Sequence, residues 1–519
     1  MAQVIIASNG EQKTVSAAEG TLLSALLQQA QIPLSMPCSG NHTCGKCRVK
    51  AQGALSEMES REEAMLSPAD LANGVRLACF TRVLGDCTVT VDTGEAGSAI
   101  QSSGRMEGFT LSPRVSEGYG LAVDIGTTTV VAYLYRLSDG SPASVRSGMN
   151  AQRGFGADVI SRINYANEHG VAALQQAIVS QLKSLAEQTL ADCGAGMTDL
   201  RDAVITGNTT MLHLLTGLDP YGIAVYPFTP VSLFGEPLPR DLLGFEAAER
   251  VYLPHCITSY IGADITCSIL SSGMMERETA LLIDLGTNGE MALRYKGKLF
   301  CCSTAAGPAF EGAGMQMGMT AVNGAVSKVS MEGEKMTYSV IGGGEAKGLC
   351  GSGVIDAVAA FVRCGLIDDT GRIDEDSPLY AVYGAEFDGF PALKIGDSGV
   401  LITQQDIRKL QLAKSAVAAG VLTMLSDSGC TMDEISTLYL AGGFGSYVDI
   451  RSAAAIGLIP EALAGKVTGI GHAAGGGAAL LLLGRSAEER EQEIVSCAEE
   501  INLSANPTFM DHYVEQMMF

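Results

Sequence analysis

The pattern of apolar and polar residues changes several times along the 519-residue chain, which indicates more than one domain. Short apolar runs within residues 4–15 flank a polar turn at residues 8–10 and predict two strands joined by a hairpin. Apolar positions then recur at helical spacing from about Thr21 to Pro33, which predicts a helix with one buried face. That face carries Leu22, Leu23, Leu26, Leu27 and Ala30.

Two later segments share one design, in which an apolar strand ends in Asp and passes through a Gly-Thr turn into a second strand. The first contains Asp124 and continues into residues 130–135, and the second contains Asp284 and continues into residues 291–293. This recurrence predicts an internal duplication. A third apolar strand, residues 438–441, runs into a glycine pair.

Residues 94–118 are rich in Gly and Ser and show no steady period, which predicts a flexible tether. The expected organisation is a first domain over residues 1–93, a linker over 94–117, a middle domain over 118–200 and a larger domain over 201–519.

Composition and charge narrow the function. The formal net charge of -23 and the lack of a basic patch argue against a nucleic-acid partner, because phosphate contacts need clustered Lys and Arg. No apolar run reaches the ~18 residues that cross a membrane, and the N-terminus lacks the features of a signal peptide. We therefore expect a cytoplasmic protein without membrane contact. Its 14 cysteines are then metal ligands or buried thiols rather than disulfides.

The first domain contains a distinctive set of cysteines. Cys38, Cys44 and Cys47 lie within ten residues, and Cys79 follows from a distant segment. Thiolates bind iron strongly, and four of them complete a [2Fe–2S] site. A zinc ribbon needs two separated C-x2-C pairs, and zinc stays the alternative together with unligated cysteines. The segment resembles ferredoxins from residue 4 to about residue 91. Its first gap is one residue longer than the plant-type C-x4-C-x2-C spacing, and resembles that of adrenodoxin-like ferredoxins.

The Asp-Gly-Thr segments suit a phosphate site. Glycine lets the backbone approach phosphate, threonine offers donors, and Asp124 can hold Mg2+ through its waters. The order of these motifs resembles the superfamily of acetate and sugar kinases, heat-shock chaperones and actin. That resemblance implies two ribonuclease H-like domains with ATP and Mg2+ in the cleft between them. The expected nucleotide-binding residues are Asp124, Gly126, Thr127, Thr128, Gly207, Asn208, Thr209, Asp284, Gly286, Thr287, Asn288, Gly351, Ser352, Gly353, Gly442 and Gly443, with Asp284 and Glu290 as catalytic residues.

Several longer motifs match one family. They lie at residues 150–159, 207–211, 284–290, 307–312, 350–353 and 502–519. Over nearly the whole chain the sequence resembles the reductive activators of corrinoid proteins, with His472 in place of an expected Asn. The resemblance implies an α+β ferredoxin-like [2Fe–2S] domain followed by α/β ribonuclease H-like domains of the actin and sugar kinase superfamily.

The resemblance also implies a function. An ATP-dependent activator returns an inactive Co(II) corrinoid protein of a methyltransferase system to Co(I) by one-electron transfer from its own cluster. Its further partners are a ferredoxin or flavodoxin-like electron donor and a second copy in a homodimer. Three alternatives stay open: an ATP-driven donor to another acceptor, such as a dehydratase, a non-enzymatic redox-gated module that binds ATP, and a small-molecule kinase. The first Asp-Gly-Thr repeat is alternatively a degenerate dimer-forming domain that binds no nucleotide.

Overall fold

The N-terminal domain is a five-stranded sheet with one longer helix. The structure is a computed structural model that describes residues 2–8, 11–30, 32, 34, 42, 47–66, 70–71, 73–91, 110–442 and 448–519. The elements of this domain are β1 (Ala2–Ser8), β2 (Glu11–Ala17), α1 (Leu23–Gln29), β3 (Arg48–Leu55), α2 (Ser60–Glu63), β4 (Val75–Leu77) and β5 (Val83–Val91), and the strand order is β2-β1-β5-β3-β4. The predicted strand pair and helix are confirmed; residues 9–10 of the turn lie outside the described residues.

The middle domain is built on a second five-stranded sheet, ordered β10-β9-β6-β7-β8. Its strands are β6 (Tyr119–Ile125), β7 (Thr129–Arg136), β8 (Pro142–Met149), β9 (Leu200–Gly207) and β10 (Arg250–Tyr252). Its helices are α3 (Val159–His169), α4 (Ala172–Ala191), α5 (Thr209–Thr216), α6 (Tyr221–Ala224) and α7 (Ala263–Ser272).

The boundary predicted between residues 200 and 201 is wrong, because it falls at the start of β9. This strand pairs in parallel with β6 over its whole length, and β10 pairs with β9 in turn. The middle domain therefore continues at least to β10. Sequence spacing alone did not reveal that the two helices before β9 form a crossover within one sheet.

The C-terminal domain contains a six-stranded sheet, ordered β21-β20-β11-β12-β13-β22, and two small three-stranded sheets, ordered β15-β14-β16 and β17-β18-β19. Its strands are β11 (Thr279–Leu285), β12 (Gly289–Tyr295), β13 (Lys298–Thr304), β14 (Ala325–Glu332), β15 (Lys335–Val340), β16 (Gly348–Leu349), β17 (Gly384–Phe387), β18 (Phe390–Lys394), β19 (Leu401–Thr403), β20 (Thr437–Ala441), β21 (Val467–Gly471) and β22 (Ala498–Glu500). Its helices are α8 (Gly351–Arg363), α9 (Tyr380–Tyr383), α10 (Gln404–Ser428), α11 (Ile450–Ala455), α12 (Ala473–Leu483), α13 (Ser486–Cys497) and α14 (Phe509–Glu515).

The two larger sheets repeat the same plan, which confirms the predicted duplication. In each, an antiparallel meander is extended by two parallel strands, β6-β7-β8 with β9 and β10 in one and β11-β12-β13 with β20 and β21 in the other. Helices α7 and α12 pack against each other between the sheets. A Cβ atom at Gly477 would lie 2.1 Å from the carbonyl oxygen of Cys267, so this crossing requires glycine.

The end of the predicted tether is docked on the C-terminal domain. The Ser112 N–H donates to the Leu483 carbonyl at 2.9 Å, and Arg114 forms an ion pair with Glu488 at 2.6 Å. The expectation of a free linker over residues 94–117 is therefore wrong for its last residues, since backbone and charge contacts hold them. Residues 94–109 of that linker lie outside the described residues.

Within the described part of the chain, no helix is both long enough and apolar enough to cross a membrane.

Candidate functional site

A cavity of about 630 Å³ lies between the middle and C-terminal domains, within the ~300–1,000 Å³ range of small-molecule pockets. It is lined by both Asp-Gly-Thr loops and by the starts of helices from both domains. Thirteen predicted site residues line it: Asp124, Gly126, Thr127, Thr128, Asn208, Asp284, Gly286, Thr287, Asn288, Glu290, Gly351, Ser352 and Gly442.

Three predicted nucleotide residues do not line this cavity and have packing roles instead. A Cβ atom at Gly207 would lie 2.9 Å from the Ile125 carbonyl oxygen, and one at Gly353 would lie 2.1 Å from that of Val326. The Thr209 hydroxyl donates to the Thr258 carbonyl at 2.8 Å. These glycines permit close packing of backbone rather than of ligand. Gly443 lies outside the described residues.

The first Asp-Gly-Thr loop is held tightly by the middle domain. The Gly126 N–H donates to the Thr129 carbonyl at 2.9 Å. Buried Arg162 donates from Nη2 to the Thr127 carbonyl at 2.6 Å, and Asn208 donates from Nδ2 to the Thr127 hydroxyl at 3.2 Å. The loop is therefore preorganised, with its threonine hydroxyls near the cavity.

The second loop leaves room beside its glycine. Around Gly286 an added Cβ atom would meet only the Asn288 carbonyl oxygen, at 3.7 Å, which is an ordinary contact. Protein packing therefore does not demand glycine here. A ligand that comes close to the backbone at this position would require glycine, and a phosphate group is such a ligand.

Helix starts bring further backbone donors to the cavity. Gly351 and Ser352 form the first residues of α8, and His472 and Ala473 stand at the start of α12. Neither helix has a side-chain hydrogen bond at its cap. Free N–H groups and the positive end of the helix dipole favour an anion at such a position. His472 is thus placed at the cavity, where burial lowers its pKa.

Four carboxyl groups crowd the floor of the cavity. They are Asp124, Asp264, Asp284 and Glu290. Burial, together with the charge of Asp284, raises the pKa of Asp264 to about 7, and burial raises the pKa of Asp284 to about 6. The pKa values of Asp124 and Glu290 lie well above the ordinary range, first because of burial and then because of the other carboxylates.

Asp264 was missed by sequence reasoning, because it lies in the first turn of α7 and belongs to no repeat. Its one local signal is Gly262, where a Cβ atom would lie 2.5 Å from the Asn208 Cα atom. That close approach brings the start of α7 beside the start of α5. A shifted carboxyl pKa in a cleft is typical of functional sites.

The cavity is lined by many more acidic than basic side chains. With Glu311 it is lined by five carboxylates, and Lys328 is the single Lys or Arg among its described lining residues. Within the described ranges, no group of three or more His, Cys, Asp or Glu residues is placed to hold a metal ion directly. A divalent cation that arrives with the phosphates and keeps its waters fits this arrangement.

The carboxyl cluster predicts a specific pH dependence of stability. Below about pH 4, Asp264 is protonated in the folded and unfolded chain alike. As the pH rises, the unfolded chain releases this proton first, so the folded state loses stability until the pH passes the folded pKa of about 7. We expect Asp264→Asn to be more stable than wild type at about pH 7.5 and to lose that advantage towards about pH 4. Urea unfolding of both ligand-free proteins between these pH values measures their free energies of unfolding. An equal change of this free energy with pH in the two proteins would contradict the raised pKa of Asp264.

The structure describes two of the four cysteines that are predicted to bind the cluster of the N-terminal domain. Cys47 and Cys79 are buried, and their Sγ atoms lie 3.3 Å apart. That distance is too long for a disulfide bond of about 2.05 Å and fits two ligands of one metal ion. Cys38 and Cys44 lie outside the described residues. Two converging thiols on a ferredoxin-like sheet fit a [2Fe–2S] cluster.

A buried carboxylate fixes the segment that carries Cys79. Glu62 is fully buried and accepts two hydrogen bonds from Arg76 at 2.9 and 3.0 Å. It also accepts from the Leu77 N–H at 2.7 Å and from the Thr81 hydroxyl at 3.3 Å. These bonds hold residues on both sides of Cys79 in place.

Comparisons with known proteins agree with the division of the chain into N-terminal, middle and C-terminal domains. Residues 6–84 match the 2Fe-2S iron-sulfur cluster binding domain, residues 119–277 match the RACo middle region, and residues 278–519 match the C-terminal domain of RACo, the ASKHA domain. The middle region extends past residue 200, in accord with the pairing of β9.

Relatives match along most of the chain. The corrinoid activation enzyme RamQ of Eubacterium limosum is 32% identical, with 98% of each chain covered. The [Co(II) methylated amine-specific corrinoid protein] reductase of Methanosarcina barkeri is 25% identical over 77% of each chain. A solved structure of a reductive activator for a corrinoid, iron-sulfur protein is 30% identical, with a TM-score of 0.72 and coverage of 100% of this chain and 98% of that one. The chain therefore belongs to the family of reductive activators of corrinoid proteins, with a ferredoxin domain followed by an ASKHA domain.

Proposed function

We propose that this chain uses ATP to drive one electron from its [2Fe–2S] cluster to the Co(II) centre of a corrinoid protein, which becomes Co(I). The observation that carries the proposal is the cavity between the two repeated sheets, which is lined by both Asp-Gly-Thr loops, in a chain whose relative RamQ is a corrinoid activation enzyme. A ferredoxin or flavodoxin-like protein then replaces the electron.

The need for ATP has a physical reason. A plant-type cluster has a potential near about -400 mV, and the proposal places the Co(II)/Co(I) couple below it. For a one-electron step, each ~59 mV of uphill potential lowers the equilibrium constant tenfold. ATP therefore acts through its different affinity for two conformations of the cleft, and hydrolysis resets the cycle.

The residues of the cavity have separate roles in this proposal. Thr128 and Thr287 donate hydroxyl hydrogen bonds to phosphate oxygens, and the starts of α8 and α12 add backbone donors. Mg2+, when bound through water to Asp124 and Asp284, would add positive charge to this acidic cavity. Asp284 orients the attacking water, with one carboxylate oxygen fixed by the Ser268 hydroxyl at 3.3 Å. Burial, and then the charges of the other carboxyl groups, raise the pKa of Glu290, which favours its protonated form.

Phosphate release distinguishes this proposal from a small-molecule kinase. We expect the reduced holoprotein to release inorganic phosphate from ATP slowly alone and faster when a Co(II) corrinoid protein is added. The measurement is a phosphate-release assay under anaerobic conditions, with the Co(III) methyl form of the same corrinoid protein as control. Transfer of the phosphoryl group to a small molecule, or equal rates with both forms, would refute the proposal.

A further inference from the structure

One carboxylate joins the two Asp-Gly-Thr loops across the cavity. Glu311 Oε1 accepts a hydrogen bond from the Thr287 hydroxyl at 2.7 Å, and Glu311 Oε2 accepts one from the Thr128 hydroxyl at 2.6 Å. The two hydroxyl oxygens lie 3.4 Å apart. Thr128 belongs to the middle domain and the other two residues to the C-terminal domain. Glu311 therefore makes a direct contact between the domains.

The backbone that carries Glu311 is fixed by packing. Ala309 and Phe310, which precede it in a short 3-10 helix, are buried. Gly312, which follows it, has a φ of +72°, and a Cβ atom there would lie 2.4 Å from the Met319 carbonyl oxygen. Only the side chain of Glu311 is thus free to leave the two threonines.

Charge complementarity across the domains strengthens this contact. Burial lowers the pKa of Arg153, and the negative charge of Glu311 opposes that effect. Arg153 follows β8 of the middle domain, so a positive charge of one domain is near enough to the negative charge of Glu311 to be attracted to it. This attraction acts in the same direction as the hydrogen bond to Thr128.

Glu311 accepts from the two threonine hydroxyls that the proposed ATP site assigns to phosphate oxygens. Its two oxygens accept from the same two hydroxyls that a phosphate group would use, and both groups are anionic. A carboxylate and a phosphate cannot share these donors without repulsion, because both are anions and Lys328 is the single Lys or Arg among the described lining residues.

We infer that Glu311 takes the place of a nucleotide phosphate in the ligand-free protein and latches the two domains together. Arrival of the phosphates displaces its side chain, so the direct contact between the domains is replaced by contacts through the nucleotide. Only molecules in which the latch is open can bind nucleotide, so the apparent affinity is the intrinsic affinity multiplied by the fraction of open molecules. This inference rests on the proposed ATP site.

Nucleotide affinity in Glu311 variants tests the inference. We expect Glu311→Gln and Glu311→Ala to bind Mg-ADP about tenfold more tightly than wild type, because the competing anion is gone. Isothermal titration calorimetry on the full-length holoprotein measures this change. Glu332→Gln, an exposed carboxylate on β14, is the matched control and should bind Mg-ADP as wild type does.

A second readout follows the latch itself. Amide hydrogen exchange in the Thr128 loop should be faster in the ligand-free Glu311→Ala variant than in wild type and should become equal once Mg-ADP is bound. Thr128→Val should show the faster exchange without the tighter binding, because it removes the latch and a phosphate donor together.

The outcomes separate two failures. If wild type binds Mg-ADP and both Glu311 variants bind it equally or more weakly, the inference is overturned and the ATP site stands. If neither wild type nor any variant binds Mg-ADP or Mg-ATP, the proposed ATP site is wrong and the inference falls with it.

Discussion

Replacing Asp284 by Asn is expected to lower ATP-dependent reduction of a Co(II) corrinoid protein by about 10²–10⁴-fold, the range for loss of a positioned catalytic group. Asp284 is the penultimate residue of the central strand β11 and lines the cavity. Its Oδ1 atom lies beside Gly442, where an added Cβ atom would come within 2.8 Å of it. The measurement is the initial rate of Co(I) formation by visible spectroscopy at saturating ATP.

The cluster should be unaffected by that change. The visible spectrum of Asp284→Asn is expected to equal that of wild type, because the cluster is held by a separate domain. The matched control is Asp433→Asn, because Asp433 lies on an exposed 3-10 turn of the C-terminal domain, which also carries Asp284. This variant should reduce the corrinoid protein at the wild-type rate. A wild-type rate in Asp284→Asn would remove Asp284 from the mechanism.

Replacing Cys79 by Ser is expected to remove the cluster and leave the nucleotide site intact. The variant should lose most of the cluster and all measurable reduction of the corrinoid protein, since the Cys79 Sγ atom lies 3.3 Å from that of Cys47 at the predicted cluster site. Its affinity for Mg-ADP should be unchanged, because the cavity lies between the other two domains. Iron content, visible spectrum and calorimetry on one sample measure the three properties.

The same domain offers a matched control for this variant. Cys87 is also buried, but it lies on β5 and is no part of the predicted ligand set. Cys87→Ser should therefore keep its iron and its activity. A full complement of iron in Cys79→Ser, or its loss in Cys87→Ser, would show that the ligands are assigned wrongly.

Local sequence patterns predicted the repeated core of the site. An apolar strand that ends in Asp and is followed by Gly and Thr is a local pattern, and both of its copies form the predicted strands and line the cavity. The helix face in the N-terminal domain was predictable for the same reason, since leucines at helical spacing must be buried on one side.

The residues whose roles the sequence did not predict make contacts between distant parts of the chain. Glu311 was visible as part of a motif, but its role depends on Thr128, 183 positions away. Asp264 reaches the other carboxylates only because two helices start side by side. Conversely, Gly207 and Gly353 resembled phosphate-loop glycines, although neighbouring carbonyl oxygens are what exclude a side chain there. Local patterns do not distinguish close packing against backbone from close approach of a ligand.

The most direct test of the account is anaerobic visible spectroscopy of a Co(II) corrinoid protein mixed with this chain and a low-potential reductant. Parallel samples contain Mg-ATP, Mg-ADP or no nucleotide. The account predicts a Co(I) band that forms only with Mg-ATP, while the cluster is reduced in all three samples. Co(I) formed at the same rate without nucleotide, or no Co(I) with Mg-ATP although the cluster is reduced, would contradict it.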